Sequence, residues 1–198
     1  MLDENPESVD PRIRRTRQML QESLANLLQK REFDEISVQE IAEGATVNRA
    51  TFYDHYTDKF ALLECLVARQ FHELLASRGV QYEGGCSAAL RAIVLGVCDT
   101  LAAAPGTRCA ERRQCQMEPH MEAAIVGVVR GMLLDGVRRY AGAGGGAVPE
   151  LVAGAASWAI YGAAKEWARQ PERGSSEAIA GTITELVAPV LTYPTRPR

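Results

Sequence analysis

The sequence predicts an all-α protein, on three observations. Apolar residues recur at helical spacing in almost every segment. No stretch sustains the period-two alternation, rich in β-branched residues, that marks a strand. Helix breakers divide the 198 residues into helix-length pieces, at Pro11, 33–37, 45–48, 56–58, 79–85, 105–106, Pro119, 141–149, 171–176 and Pro194.

The first piece, 12–30, opens on a basic cluster (Arg12, Arg14, Arg15, Arg17) and carries Ile13, Leu20, Leu24, Leu27 and Leu28 on one helical face. Ser37 with Glu40 three residues later forms a capping box, and Ile36 with Ile41 a hydrophobic staple across it. Val38, Ile41, Ala42 and Ala45 then give the stripe of a helix about two turns long. The grammar repeats at once. Asn48 is a good N-cap, and Val47 with Phe52 makes a second staple. Asp58 caps a third helix running to about Arg78, with Phe60, Leu62, Leu63, Leu66, Val67 and Phe71 as apolar positions. Two short helices around a tight turn, one helix before and a long one after, outline a helix-turn-helix.

The second short helix belongs to "NRATFYDHYTDKFALL", residues 48–63, which crowds Phe52, Tyr53, His55 and Tyr56 together. If Val47, Phe52 and Tyr56 point inward, then Asn48, Arg49, Ala50, Thr51, Tyr53 and His55 lie on the outer side. Those side chains suit DNA. Asn48 and Arg49 can reach base edges or phosphate, and Ala50 and the Thr51 methyl can meet a thymine methyl. Tyr53, His55 and Lys59 can donate to phosphate oxygens, as can the N–H groups at the helix start capped by Ser37. The competing reading is a merely solvated polar face. Between Arg12 and Lys59 eight basic residues are balanced by eight acidic ones, unlike a non-specific nucleic-acid binder.

Composition bounds the rest. The chain is 46% hydrophobic and 24% charged, the balance of a folded protein, and its net charge of −3 gives no general attraction to nucleic acid. No apolar run reaches membrane-spanning length, and the polar, acidic start "MLDENPESVDPR" lacks a signal-peptide core, so a cytoplasmic protein with no membrane partner is expected. The five cysteines read as reduced, mostly buried thiols. Cys109, Cys115 and His120 lie close in sequence, at spacings unlike common zinc pairs; they keep a thiol- or metal-responsive site as an alternative. No Ser/His/Asp set, paired carboxylates or phosphate-binding glycine loop supports an enzyme, and no cofactor or resident metal is expected.

Residues 37–63, "SVQEIAEGATVNRATFYDHYTDKFALL", resemble the DNA-binding region of the TetR family of bacterial transcriptional regulators, and the likeness extends back through "RTRQMLQESLANLLQKREFDEIS". Two departures stand out. Thr46 occupies a turn position usually held by glycine, and Phe60 one where glutamate is common. The first implies either a turn without a left-handed residue or a strained Thr46.

The resemblance implies that Asn48, Arg49, Ala50 and Thr51 face bases and that Ser37, Tyr53, His55 and Lys59 hold phosphates, with Arg14 and Arg17 near backbone or minor groove. It also implies a DNA-binding domain over 1–57, its first ten residues a disordered tail, and a helical effector-binding and dimerisation domain over 58–198. The expected partners are a palindromic DNA operator, a second copy of the chain through the last two helices, and an unidentified small effector that releases a repressor.

Helices are expected near 86–104, 107–116, 120–141, 149–170 and 175–192. Within 149–170, Gly154, Ala155, Gly162 and Ala163 with Trp158, Tyr161 and Trp167 suit a dimer seam, and Ile179, Ile183, Leu186, Val187 and Val190 give the last helix a broad apolar face. A monomeric core is the competing reading. A pocket among the helices would be mainly apolar. Its candidate liners are Phe71, Cys98, Met117, Met121, Trp158 and Tyr161, each of which could equally be plain core.

Overall fold

The computed structural model describes residues 10–80, 86–103, 116–141 and 148–191. These form eight helices and one 3₁₀ turn (Phe33–Glu35): α1 (Pro11–Leu28), α2 (Val38–Gly44), α3 (Arg49–His55), α4 (Lys59–Ser77), α5 (Ser87–Ala103), α6 (Met117–Ala141), α7 (Pro149–Ala168) and α8 (Ser176–Leu191). There is no strand among the described residues. None of their helices is long and apolar enough to cross a membrane. The helix expected at 107–116 lies, but for Gln116, outside the described residues, as do Cys109 and Cys115.

Two starts differ from expectation for local reasons. Asp10, assigned to the tail, is the N-cap of α1: its carboxylate accepts from the Arg12 N–H at 2.8 Å, with Pro11 in the first turn. Pro119, expected to break the chain, sits in the first turn of α6, where a missing N–H breaks no helical bond.

Residues cluster into two compact units. Of the described residues, the first takes in 10–67 and 116–121, and the second the remainder. The first thus extends past the boundary expected at 57/58, because Leu62, Leu63 and Leu66 of α4 are buried in its core with Leu20, Leu24, Phe33, Ile36, Ile41, Ala45, Phe52 and Tyr56. Ile13, two turns ahead of Leu20, stays 38% exposed and leaves the stripe predicted for α1. In the second unit α5, α7 and α8 pack on one another, burying Ile93, Val97, Ala156, Ile160, Ile183 and Val187.

The turn between α2 and α3 is closed by two backbone bonds. Thr46 N–H donates to Glu43 O at 2.9 Å and Val47 N–H to Ala42 O at 3.0 Å, a Schellman closure. The geometry needs a left-handed residue at position 46, and Thr46 adopts φ 57°, alone among the described non-glycine residues. The second alternative left open by the sequence is the one realised. Between α1 and α2, buried Ser23 donates to Ile41 O at 2.8 Å, and a Cβ on Gly44 would come within 2.4 Å of the Ser23 hydroxyl. Glycine at 44 therefore serves the close approach of α1 to α2, while the turn itself uses threonine.

A β-branched residue in the left-handed region costs about 1–2 kcal/mol, partly offset by its smaller unfolded-state entropy relative to glycine. Thr46 is exposed, so truncation removes no core contact. Thr46→Gly is expected to raise stability by about 0.5–1 kcal/mol, read as a higher urea midpoint at unchanged slope.

Candidate nucleic-acid interface

Helix α3 divides its side chains by direction. Phe52 is fully buried and Tyr56, just past the helix, is 6% exposed, its hydroxyl accepting from Gln21 Nε2 at 3.1 Å. Val47 packs half-buried against the same core, as the staple requires. On the opposite side Arg49, Ala50, Tyr53 and Asp54 are exposed, while Thr51 and His55 are half-buried at the margins. Thr51 and His55 are thus less outward than the sequence suggests. Asp54, by contrast, was absent from the expected set.

The outward groups are organised before any ligand arrives. Asn48 Oδ1 accepts from Ala50 N–H at 2.9 Å, so its carbonyl is used by the cap and its NH₂ remains to donate. Arg49 donates to the Tyr53 hydroxyl at 3.3 Å, with its guanidinium carbon 5.7 Å from the Tyr53 ring centroid. One turn apart on a helix, the ring steers the arginine. Arg14 and Arg17 are exposed on the first two turns of α1.

Two expected phosphate ligands are otherwise engaged. Lys59 Nζ donates to the carbonyls of Phe33 (2.9 Å), Asp34 (3.3 Å) and Ile36 (2.9 Å), and lies 4.6 Å from the Phe33 ring centroid. An ammonium has three donors, and all three are satisfied at the end of the 3₁₀ turn. Lys59 is a latch between α4 and the chain ahead of α2. The Ser37 hydroxyl closes the capping box, accepting from Glu40 N–H at 3.2 Å and donating to Glu40 Oε2 at 2.8 Å. Ser37 N–H donates to the same oxygen at 2.9 Å, and Arg31 pairs with the other. These donors, the Ser37 N–H first, hold the Glu40 carboxyl down at about 2. A phosphate at Ser37 would have to compete with that carboxylate.

The expected effector-site residues are divided between the two units. Phe71, Cys98 and Tyr161 are buried, all within the second unit. Met117 packs half-buried against the core of the first unit, and Met121 also belongs to that unit. Trp158 is 54% exposed on α7. Burial, first of all, pushes the Cys98 thiol up to about 11, so it stays protonated at neutral pH. His120 donates from Nδ1 to Glu64 Oε1 at 2.6 Å and stacks on Phe60 with centroids 4.6 Å apart. Phe60, in place of the commoner glutamate, therefore has a partner.

Residues 22–66 match the family described as "Bacterial regulatory proteins, tetR family". A Bacillus subtilis protein described as an uncharacterized HTH-type transcriptional regulator, YxbF, is 34% identical over 73 residues, a stretch covering 36% of this chain and 19% of that protein. The match assigns residues 22–66 to a TetR-type helix-turn-helix region. Solved structures share the all-helical fold over most of the chain. The repressor AlkX from Dietzia sp. superposes with a TM-score of 0.59 at 16% identity, covering 91% of this chain and 97% of that one. QsdR from R. erythropolis gives 0.59 at 16%, covering 95% and 99%. RolR, solved with resorcinol, gives 0.56 at 14%, covering 94% and 97%.

Two expectations follow from the engaged groups. Lys59→Met should lower the stability of the DNA-binding unit by roughly 1.5–3 kcal/mol, the scale of charge-assisted hydrogen bonds, in urea titration without DNA. A lysine serving only as a phosphate ligand would leave that titration unchanged. Glu40 has a depressed folded-state pKa, so its contribution is complete above about 4.5 and fades as pH falls towards about 2. Glu40→Gln should flatten that part of the stability–pH curve.

Proposed function

We propose that the protein is a repressor that binds a palindromic operator as a homodimer and is released by a small, mainly apolar effector. The carrying observation is the exposed set on α3, Arg49, Ala50 and Tyr53, opposite buried Phe52. Arg49 and Ala50, with the NH₂ of Asn48 and the Thr51 methyl, would meet base edges. Tyr53 and His55 would hold phosphates, with Arg14 and Arg17 at backbone or minor groove.

Dimerisation through α7 and α8 is supported by surface chemistry. Of six large hydrophobic residues exposed among those described, Leu151, Trp158 and Leu186 lie on these helices, and Val148 immediately precedes α7. Leu151 and Trp158 are seven residues apart and share a face. Gly162 has nothing within 4 Å of where a Cβ would stand, leaving room for a partner helix. Tyr161 and Trp167 are buried within the protomer and leave the seam to Trp158. A twofold pair of recognition helices reads half-sites about 34–36 Å apart.

The effector reading rests on the second unit. Phe71, Cys98 and Tyr161 are buried there, as are Val94 and Val97, chemistry that favours a hydrophobic or aromatic molecule. Release requires that the effector bind the DNA-free state more tightly than the DNA-bound one.

Selection from a randomised duplex library tests the operator. A twofold-symmetric consensus is expected, and a purified protein that enriches none overturns the proposal. Tyr53→Ala should weaken binding to all operator variants alike, whereas Arg49→Ala should change the ranking among variants by about 1–3 kcal/mol at one position. If both substitutions leave binding untouched, another surface meets DNA.

A further inference from the structure

Successive residues of a helix lie about 100° apart. Phe52 and Tyr56 mark the inward direction of α3, and the direction opposite falls between Ala50 and Asp54. Both are exposed, and they sit one turn apart. The centre of the outward face therefore carries a methyl group and a carboxylate. Arg49 and Tyr53, the pair joined at 3.3 Å, lie to one side of that centre, and Thr51 and His55, half-buried, to the other. Among the described residues no side chain donates to the Asp54 carboxylate.

A carboxylate at the centre of a helix that enters the major groove is flanked by phosphates on both strands. It opposes binding at every site except where a base offers a donor. Only the cytosine N4 and adenine N6 amino groups do so in that groove. Adenine presents the N7 acceptor beside its amino group, which repels the second carboxylate oxygen. Cytosine presents a C–H there and has no such penalty.

We propose that Asp54 determines sequence preference by accepting a hydrogen bond from the N4 amino group of a cytosine in each half-site. The assignment rests on the proposed reading of α3 as the groove-entering helix and deepens it. Ala50 and Asp54 are separated by four residues, a rise of about 6 Å, so the cytosine stands within about two base steps of the pair beside Ala50. A small residue at 50 leaves the shorter aspartate side chain free to reach the base edge. Asp54 also excludes sites that place the acceptors of guanine or the O4 of thymine opposite it, which lets a protein of net charge −3 discriminate without a strong field.

The test selects operators from a randomised duplex library with the full-length protein, as wild type, Asp54→Ala and Asp54→Asn. Asp54 is exposed, so both variants are expected to fold, which an unchanged thermal midpoint checks. The wild-type consensus should hold cytosine at one position per half-site, favoured roughly tenfold or more. Asp54→Ala should lose that preference and keep the others. Asp54→Asn should move it to adenine, because an amide pairs with both N6 and N7. A wild-type consensus that persists unchanged in both variants, even with uniformly tighter binding, overturns the role of Asp54 alone. A wild-type protein that enriches no sequence overturns the groove reading of α3 and this inference with it.

Discussion

Thr46 stands where α2 must stop and α3 must start with four residues between them, and the direction of every side chain on α3 depends on how that is done. The chain reverses through a left-handed residue, so that Thr46 N–H and Val47 N–H reach back to Glu43 O and Ala42 O. Each such bond contributes about 0.5–1.5 kcal/mol net, against a local cost of about 1–2 kcal/mol for a β-branched residue there. The turn alone is near balance. What tips it is the packing of Val47 against the core that holds Ile41 and Phe52. Once Val47 is set, Asn48 caps α3 and Phe52 goes inward. The outward set is then fixed by helix geometry.

Sequence reasoning captured this region because its determinants are local. A capping box, two staples and an Asn cap act over three to five residues, so their partners can be read from spacing. It failed wherever the partner came from far along the chain. Lys59 carries the right charge for phosphate, but its ammonium meets carbonyls 23 to 26 residues earlier. Tyr56 bonds Gln21 across 35 residues, and Met117 joins a core otherwise built from the first 67. Nothing in the spacing of charges announces such contacts. Asp54 is a different kind of omission. Its direction was readable from the staple, but a search for cations and donors passes over a carboxylate.

The two tryptophans of α7 show the same limit within one helix. Trp158 and Trp167 are nine residues apart, about half a turn of helical phase, and therefore cannot share a face. One is buried with Ile160 and Ala164, and the other is exposed beside the Leu151 stripe. Periodicity separates them, but only the packing of α5 and α8 against α7 decides which goes inward. The small residues of α7 serve both sides. Ala153, Ala156 and Ala164 are buried in the protomer, while Gly162 leaves space outside.

The engaged state of Lys59 and Ser37 also redistributes what DNA binding would rest on. With the ammonium satisfied and the hydroxyl closed onto Glu40, phosphate anchoring would fall to Tyr53, His55 and the exposed arginines of α1. Of these, the Tyr53 hydroxyl carries no charge. Counterion release scales with the number of phosphates met by cations, so a protomer using only Arg14 and Arg17 in this way gains little general affinity. On the proposed reading of α3, Arg49 and Asp54 would sit at the reading face with opposite charges, cancelling their attraction to an arbitrary duplex while leaving each to select a base. Affinity must then come from matched base contacts made twice. A protein arranged like this needs its symmetric partner more than a strongly basic one does, which is why the exposed Leu151 and Trp158 stripe and the composition of α3 belong to one argument.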